Sequence, residues 1–483
     1  MLAGKTAGFL SAPAAEIAAV WVNEVGRCVG PLAAGFSLGV SGDVGERRRM
    51  AEAAQTPNPP DEPAVPDQRD EREPFARLRA EFHLPDGRIY LDGNSLGLLS
   101  RRAEASLQRA VETWKRDAID GWTRGPDRWI DLAERIAERL SPLLGAAPAT
   151  LALRGQTTEN LHQLLATLYD PTHPTRRVIL ADALNFASDT YALQSHLRLR
   201  GQDPTATLRL IPSRDGRCLW LEDILSHLTD DVQILVLPSV IFTSGQLLDL
   251  ATITRKARDR GIIVGWDLAH SIGVVPHALD RDGVDFAFWC HYKWLNAGPG
   301  AVGGLYLNER YFGRPPGLAG WWGVRPERRF EMSPEHLPAE GAAALHVGTP
   351  SILALAPLEG ALELIAEAGG IGALRERSLA LTQALLTAVD KELVPLGFKV
   401  VTPRGAAARG GHIALAHPDA WRLCQALKAR GVVPDFRAPD LLRLAPSPLY
   451  TRFADVREAV RRLQIIAETG AQRGMERELP LVP

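Results

Sequence analysis

Two apolar runs, each followed closely by one charged side chain, constrain the fold of this chain more than any other feature. The run Gly-Ile-Ile-Val-Gly-Trp-Asp at 261–267 ends in Asp267, and the run Val-Asp-Phe-Ala-Phe-Trp-Cys at 284–290 precedes Lys293. Such nearly continuous apolar runs are typical of strands buried on both faces of a parallel sheet. Since ligands bind beyond the carboxyl ends of these strands, we predict that Asp267 and Lys293 face one crevice.

An aspartate and a lysine in one crevice suit a carbonyl cofactor such as pyridoxal 5'-phosphate (PLP). The lysine amine forms a Schiff base with the carbonyl, and the carboxylate keeps the pyridine nitrogen protonated so that the ring withdraws electrons. Each residue alone has a simpler explanation, because a strand-ending Asp is often a helix cap and such a Lys is often a solvated loop residue. Their combination with the motifs below favours the cofactor site.

The pattern of helices and strands predicts an α/β fold. From about residue 105 to 345, helical patterns alternate with short apolar runs such as 177–181 and 232–237. This alternation predicts a mostly parallel sheet covered by helices. A helix-prone segment around 353–389 then leads into a smaller α+β part. We therefore predict three regions after the N-terminus: an N-terminal segment with the large cofactor-binding domain at 76–345, a small C-terminal domain at 346–470 and a tail at 471–483.

Residues 1–75 differ in character from the rest of the chain and are predicted to be a disordered or mis-assigned extension. The stretch at 51–73 is rich in Pro, Ala, Asp and Glu, as disordered linkers are. We hypothesise that Met50 is the true initiator, which would make residues 1–49 a product of upstream translation.

Composition excludes several classes of partner. The 55 basic and 57 acidic residues give a net charge of -2, so nucleic acid is not an expected partner. No run approaches the roughly 18 apolar residues of a membrane span, and no signal-peptide layout is present. The four cysteines, at 28, 218, 290 and 424, are too scattered for a zinc site or a disulfide framework. We expect a cytoplasmic protein without a bound metal.

Several separated motifs resemble those of kynureninase, a PLP enzyme with the aspartate aminotransferase-like (type I) fold. Three lie around the two apolar runs: Trp-Asp-Leu-Ala-His at 266–270, Tyr-Lys-Trp-Leu-Asn-Ala-Gly at 292–298 and Gly-Trp-Trp-Gly at 320–323. Four others keep the order of the family: Tyr-Leu-Asp-Gly-Asn-Ser-Leu-Gly at 90–97, Asn-Phe-Ala-Ser-Asp-Thr-Tyr at 185–191, Thr-Ser-Gly-Gln at 243–246 and Arg-Leu-Ala-Pro at 443–446. The resemblance runs from about residue 77 to about residue 467.

The resemblance implies a role for each residue of a PLP site. Lys293 would carry the Schiff base and act as general acid and base, Tyr292 would assist it, and Asp267 would hold the pyridine nitrogen. Further cofactor contacts are implied for Thr157, Thr158, Phe186, Asp189, Ser239, His270, Tyr292, Trp321 and Thr349.

Three of these implied contacts also have an interpretation from the residues themselves. Thr157 and Thr158 precede a predicted helix at 160–165, where hydroxyls and N–H groups meet a phosphate at the positive helix end, although a Thr there is commonly just a cap. A structural role explains His270 equally well.

The substrate is implied by the family as well. Arg443 matches the arginine that binds the α-carboxylate, a task that suits a planar, two-pronged guanidinium. Trp122 matches the position that sets ring specificity. Trp321 and Thr349 match residues that come from the neighbouring subunit, which implies a homodimer with shared active sites. Val324 departs from the histidine expected there, so the choice between kynurenine and its 3-hydroxy form stays open.

The implied function is hydrolysis of the Cβ–Cγ bond of L-kynurenine to anthranilate and L-alanine in tryptophan degradation. The alternatives are another type I PLP enzyme, either a cysteine desulfurase or an aminotransferase, and a non-catalytic scaffold with the same fold. Cys424 is a poor desulfurase thiol, because its segment at 421–428 predicts a buried amphipathic helix. The Gly-x-Gly-x-x-Gly match at 298–303 contains proline and leads into a strand, so a dinucleotide site is not expected.

Overall fold

The computed structural model describes residues 67–71, 74–85 and 87–476. The prediction for the N-terminal extension, with the Met50 hypothesis, falls mainly outside these residues. Among the described residues, 68–71 form a short 3-10 turn, and the Asp70 carboxylate accepts hydrogen bonds from the N–H groups of Phe453 and Ala454 at 2.7 and 3.0 Å.

The described elements alternate as the sequence predicts. The helices are α1 (Phe75–Arg79), α2 (Arg101–Asp117), α3 (Leu132–Leu144), α4 (Thr157–Leu168), α5 (Ala187–Leu199), α6 (Pro204–Thr207), α7 (Leu221–Ser226), α8 (Leu250–Arg258), α9 (Leu279–Asp282), α10 (Ile352–Glu367), α11 (Gly370–Glu392), α12 (Ala420–Ala429) and α13 (Phe453–Thr469). The strands are β1 (Ile89–Tyr90), β2 (Leu151–Leu153), β3 (Val178–Asp182), β4 (Leu208–Ile211), β5 (Val232–Pro238), β6 (Ile263–Asp267), β7 (Phe286–Cys290), β8 (Gly303–Leu307), β9 (Lys399–Val400), β10 (Ile413–Ala416), β11 (Val432–Val433), β12 (Asp435–Arg437) and β13 (Leu441–Leu444). In the described part of the chain, no helix has the length and apolar character that crossing a membrane requires.

The central sheet has the strand order β2-β8-β7-β6-β5-β3-β4. The pairings from β4 through β3, β5 and β6 to β7 are parallel, and β8 joins both β7 and β2 in antiparallel fashion. Strands β3, β5 and β7 are buried along their whole length, as expected for a sheet covered by helices on both faces. The predicted mostly parallel sheet is confirmed.

The carboxyl ends of three adjacent strands lie at the same edge of this sheet. Pro238 at the end of β5 pairs with Asp267 at the end of β6, and Asp267 pairs with Phe288 near the end of β7. Close packing fixes this alignment: a Cβ at Gly265 would lie 2.0 Å from the Phe286 ring, so only glycine fits there. The chain segments that follow these strands are thereby held side by side.

A smaller antiparallel sheet, with the order β12-β13-β10-β9, forms a second centre of burial. Its apolar residues pack with those of α11, α12 and α13 in a separate hydrophobic core. The helix-prone segment predicted at 353–389 is two helices, because Gly369 adopts a left-handed φ of 93° between α10 and α11. Helix α10 packs in the core of the large sheet. Helix α11 begins in that core and continues into the core of the small sheet.

Candidate active site

A cavity of about 190 Å³ opens at the carboxyl edge of the central sheet. It is lined by Gln156, Thr157, Thr158, Phe186, Asp189, Asp267, Ala269, His270, Cys290, Tyr292 and Lys293. The structure therefore brings together eight of the residues that the sequence assigned to a cofactor site. The other three lining residues, Gln156, Ala269 and Cys290, were not identified from the sequence.

The turn after β6 places Asp267 and His270 against Lys293. The Asp267 carboxylate accepts a hydrogen bond from the Ala269 N–H at 2.8 Å, which closes the turn. His270 follows, and its Nε2 lies 2.9 Å from the Lys293 Nζ. Asp267 and His270 are each only 7% exposed. The sequence could not decide between a structural and a site histidine, and this contact places His270 in the site.

The carboxyl groups around the cavity are buried, and few positive charges lie near them. Burial raises the pKa of Asp267 against the opposing effect of the Lys293 cation, and burial together with Asp267 and Asp182 raises the pKa of Asp189 well above its ordinary value. No hydrogen bond from the described residues reaches the buried Asp189 Oδ2. Lys293 is the one Lys or Arg in the lining. A group that brings a protonated ring nitrogen to Asp267 fits this charge distribution.

Two helices begin at one side of the cavity. The first residues of α4 are Thr157 and Thr158, and the Thr158 Oγ1 lies 2.7 Å from the Oγ of Ser188 in the first turn of α5. The helix predicted from residue 160 starts earlier because Gln156 is its cap: the Gln156 N–H donates to Glu159 Oε2 at 2.9 Å. The unpaired N–H groups of a helix start favour an anion, so this side of the cavity suits a phosphate.

Aromatic side chains also line the cavity. The Phe186 ring is 50% exposed and packs edge to face on Phe242, with 5.5 Å between ring centroids. Phe242 in turn lies 6.3 Å from the His270 ring, and it was not identified from the sequence. Lys293 Nζ lies 5.8 Å from the centroid of the Tyr292 ring. Burial raises the pKa of Tyr292, so its hydroxyl keeps its proton.

Ser239, predicted as a cofactor contact, is not among the residues that line the cavity. It is fully buried, its Oγ donates to the Asp267 carbonyl at 3.1 Å, and it lies 2.7 Å from the Ser271 Oγ. Its place behind the strand end means that it supports the turn that carries Asp267.

Trp122, Trp321 and Thr349 line a different cavity, of about 390 Å³. Its lining includes Trp322 and Phe330 and shares no residue with the cavity around Lys293. Trp122 packs on Trp322 with ring centroids 5.4 Å apart. Within one chain, the structure thus groups these three predicted site residues with one another and apart from Lys293.

Arg443 is buried next to the cavity but does not line it. It is 1% exposed, and its Nε donates to Asp435 Oδ2 at 2.5 Å. Its other N–H groups donate to the Phe242 carbonyl and to the Ser95 hydroxyl. Burial lowers the pKa of Arg443, and the Asp435 carboxylate opposes this effect. A bound carboxylate would therefore share the guanidinium with Asp435.

Solved structures with the same architecture are PLP-dependent enzymes of the type I fold. The chain superposes on a cysteine desulfurase from Thermococcus onnurineus with a TM-score of 0.68 and 17% identity, over 82% of this chain and 98% of that one. It superposes on a C-DES protein, solved with glycine covalently linked to its PLP cofactor, with a TM-score of 0.68 and 18% identity over 83% and 99%. At these identities the comparison establishes the fold class, which is that of the type I enzymes.

Sequence comparison then establishes the family, which is kynureninase. A kynureninase from Geobacillus thermodenitrificans is 47% identical over 413 residues, which is 86% of this chain and 96% of the relative. One from Bacillus cereus is 48% identical over the same shares. The family model for the kynureninase C-terminal domain matches residues 374–463. The chain therefore belongs to the kynureninase family.

Asp182, at the end of β3 behind the cavity, provides a test of this electrostatic description. Burial raises its pKa from 3.8 to about 7. Between these two pH values the folded state therefore keeps a proton that the unfolded state has lost. The stability that the group contributes is complete below pH 3.8 and is lost as the pH rises toward 7. Because Asn does not titrate, Asp182→Asn should gain up to about 4 kcal/mol relative to wild type between pH 4 and pH 8.

The measurement is denaturant unfolding of the cofactor-free variants across this pH range. Asp203→Asn is the control with the opposite sign, because hydrogen bonds from Thr205 lower the pKa of the exposed Asp203. A difference between Asp182→Asn and wild type that stays constant with pH would contradict the buried-carboxyl description.

Proposed function

We propose that this chain hydrolyses the Cβ–Cγ bond of L-kynurenine to anthranilate and L-alanine, with PLP as its cofactor and Lys293 as the central catalytic residue. The observation that carries the proposal is the convergence of Asp267, His270 and Lys293 on one cavity in a chain of the kynureninase family. Two helix starts and an exposed aromatic ring complete a set of groups that fits PLP.

Each part of the cofactor has a matching part of the cavity. Asp267 would hold the ring nitrogen, Thr157 and Thr158 the phosphate, and Phe186 the ring face. When bound, PLP supplies an electrophilic carbonyl and a ring that stabilises negative charge on the α-carbon of an amino acid. A ligand could bind at Asp189 Oδ2, because no described residue forms a hydrogen bond with that atom.

Lys293 would move the protons of the reaction. Its amine removes the proton from the substrate α-carbon and later delivers a proton to the alanine fragment, and the neighbouring His270 Nε2 receives or supplies a hydrogen bond at 2.9 Å. Tyr292 would act as a hydrogen-bond donor beside it, because burial raises the pKa of this phenol and keeps it protonated.

The substrate would extend beyond the cofactor cavity. Arg443 would bind its carboxylate, and the indole of Trp122 would contact its ring. Trp321 and Thr349 would come from the second subunit of a homodimer, and Trp122, which lines the same cavity, would come with them. This assignment is supported by their separation from Lys293 within one chain, and by the apolar exposure of neighbours such as Phe330, which is 65% exposed, and Ile119, which is 77% exposed. We place the enzyme in the cytoplasm.

A desulfurase function is not supported. Cys424 is fully buried in α12, and burial raises the pKa of its thiol to about 12, so a thiolate would not form near neutral pH. The likeness to desulfurase structures concerns the fold.

Incubation of the PLP-loaded protein with L-kynurenine tests the function. Anthranilate, followed by its fluorescence, and alanine should form in equal amounts. Lys293→Ala should lower turnover by about a thousandfold or more, because the variant loses the group that moves the protons. The exposed Lys256→Ala is the matched control and should retain wild-type turnover. Retained turnover in Lys293→Ala, or no anthranilate from wild type, would contradict the proposal.

Coexpression of two defective variants tests the shared site. Trp321→Ala and Lys293→Ala homodimers should each have low activity. In a mixed dimer, one of the two sites would keep both side chains, so a randomly assembled mixture should regain about a quarter of wild-type activity. Coexpression of Lys293→Ala with Asp267→Asn is the control, because both residues belong to the same chain's cavity and no complete site can form. Equal activity in the two mixtures would show that Trp321 does not act across subunits.

A further inference from the structure

A second buried histidine, His412, lies beside His270 and has no part in the function proposed so far. It immediately precedes β10 of the small sheet and is fully buried. Its ring packs on His270 with 6.0 Å between centroids and a T-shaped geometry. Among the described residues, no group makes a hydrogen bond of good geometry to either ring nitrogen, although the Phe242 carbonyl lies close enough to oppose the lowering of the pKa of His412. The Nδ1 of His270 is likewise buried without a partner there. Buried polar atoms are usually paired, so three unpaired nitrogens in adjacent rings need an explanation.

The backbone before His412 is shaped to let this ring reach the site. A Cβ at Gly410 would lie 2.9 Å from a Val240 methyl carbon, and a Cβ at Gly411 would lie 2.8 Å from Val274 and 2.9 Å from the Trp294 ring. Contacts this short exclude side chains, so the two glycines allow the small sheet to approach the segments that follow β5 and β6. The Gly410 N–H donates to the Gly245 carbonyl at 2.8 Å and fixes this approach.

The chemistry of Lys293 constrains the proton on His270. An ammonium group has no lone pair, so whenever Lys293 is protonated His270 Nε2 must accept its hydrogen bond and the imidazole proton must be on Nδ1. Burial, Lys293 and Arg443 lower the pKa of His270, and burial and Arg443 lower that of His412, so both rings are neutral. A neutral imidazole offers one acceptor nitrogen. His412 can therefore accept a hydrogen bond from the Nδ1–H of His270.

The only other described ring that contacts His270 is that of Phe242, which offers no acceptor nitrogen. We propose that His412 is a positioning residue that holds His270 in the Nδ1–H tautomer, directly after a small ring rotation or through one water. Nε2 of His270 is then always available to Lys293. In this way the small sheet contributes to proton transfer at the large one. The effect on turnover rests on the proposed function, but the tautomer does not.

The test combines two substitutions of His412 with a control at the other end of the same strand. His412→Phe keeps a ring without nitrogens, His412→Gln keeps a hydrogen-bonding group, and His417→Gln changes a histidine that packs on Phe398 away from the site. Histidine-selective ¹⁵N NMR at pH 7 reports the His270 tautomer in cofactor-free chains that also carry Lys293→Ala, because no ammonium group then sets the tautomer. The His270 resonances are identified by their loss in His270→Asn. Steady-state kinetics with kynurenine and thermal unfolding complete the set.

In the Lys293→Ala background, we expect the Nδ1–H pattern for His270 when His412 is intact, and also with His412→Gln or His417→Gln. We expect His412→Phe in this background to show a mixture of tautomers. With Lys293 intact, His412→Phe should lower kcat about tenfold with little change in KM, and His412→Gln should restore kcat to within about threefold of wild type. An unchanged tautomer in His412→Phe would overturn the proposal. So would equal losses of kcat and Tm in both His412 variants, which would show a packing role. A tautomer change, if the wild-type chain does not cleave kynurenine, would refute the proposed function and leave the His412 assignment standing.

Discussion

The buried carboxylate at the end of β6 is the constraint on which the site depends. Asp267 is buried at the sheet edge, where an isolated charge is costly, and Lys293 and the Ala269 N–H offset this cost. The alignment of β5, β6 and β7 puts these groups within reach of one another. A flatter or more open edge would solvate the carboxylate and weaken its interaction with a ring nitrogen. The fold thus provides the low-dielectric surroundings that make one aspartate effective.

The features that the sequence predicted are those that depend on continuous local patterns. The apolar runs at 261–267 and 284–290 identified β6, β7 and the crevice beyond them, since few other structures bury such runs on both faces. The family motifs identified residues that the cavity does bring together, such as Thr158 and Asp189. Element boundaries were less accurate: α4 starts three residues early because its cap is a glutamine, which is an uncommon cap residue.

The features that the sequence did not predict depend on contacts between distant segments. Nothing in the segment around Ser239 shows that its hydroxyl turns inward to the Asp267 carbonyl, and no spacing pairs Arg443 with Asp435 across two strands. Phe242 and His412 carry no motif at all. Their roles depend on how the small sheet packs against the large one. Gly410 and Gly411 permit this packing because a side chain at either position would clash with the large sheet's loops.

The central claim is that Lys293 is the residue that holds and serves the cofactor. Reduction of the PLP-loaded protein with borohydride, followed by digestion and mass spectrometry, tests it most directly, because the reagent makes an otherwise reversible lysine linkage permanent. The account predicts a single pyridoxyl modification, on the peptide that contains Lys293. The Lys293→Ala variant should carry no such modification. Modification of a different lysine, or a protein that binds PLP without any reducible linkage, would contradict the account.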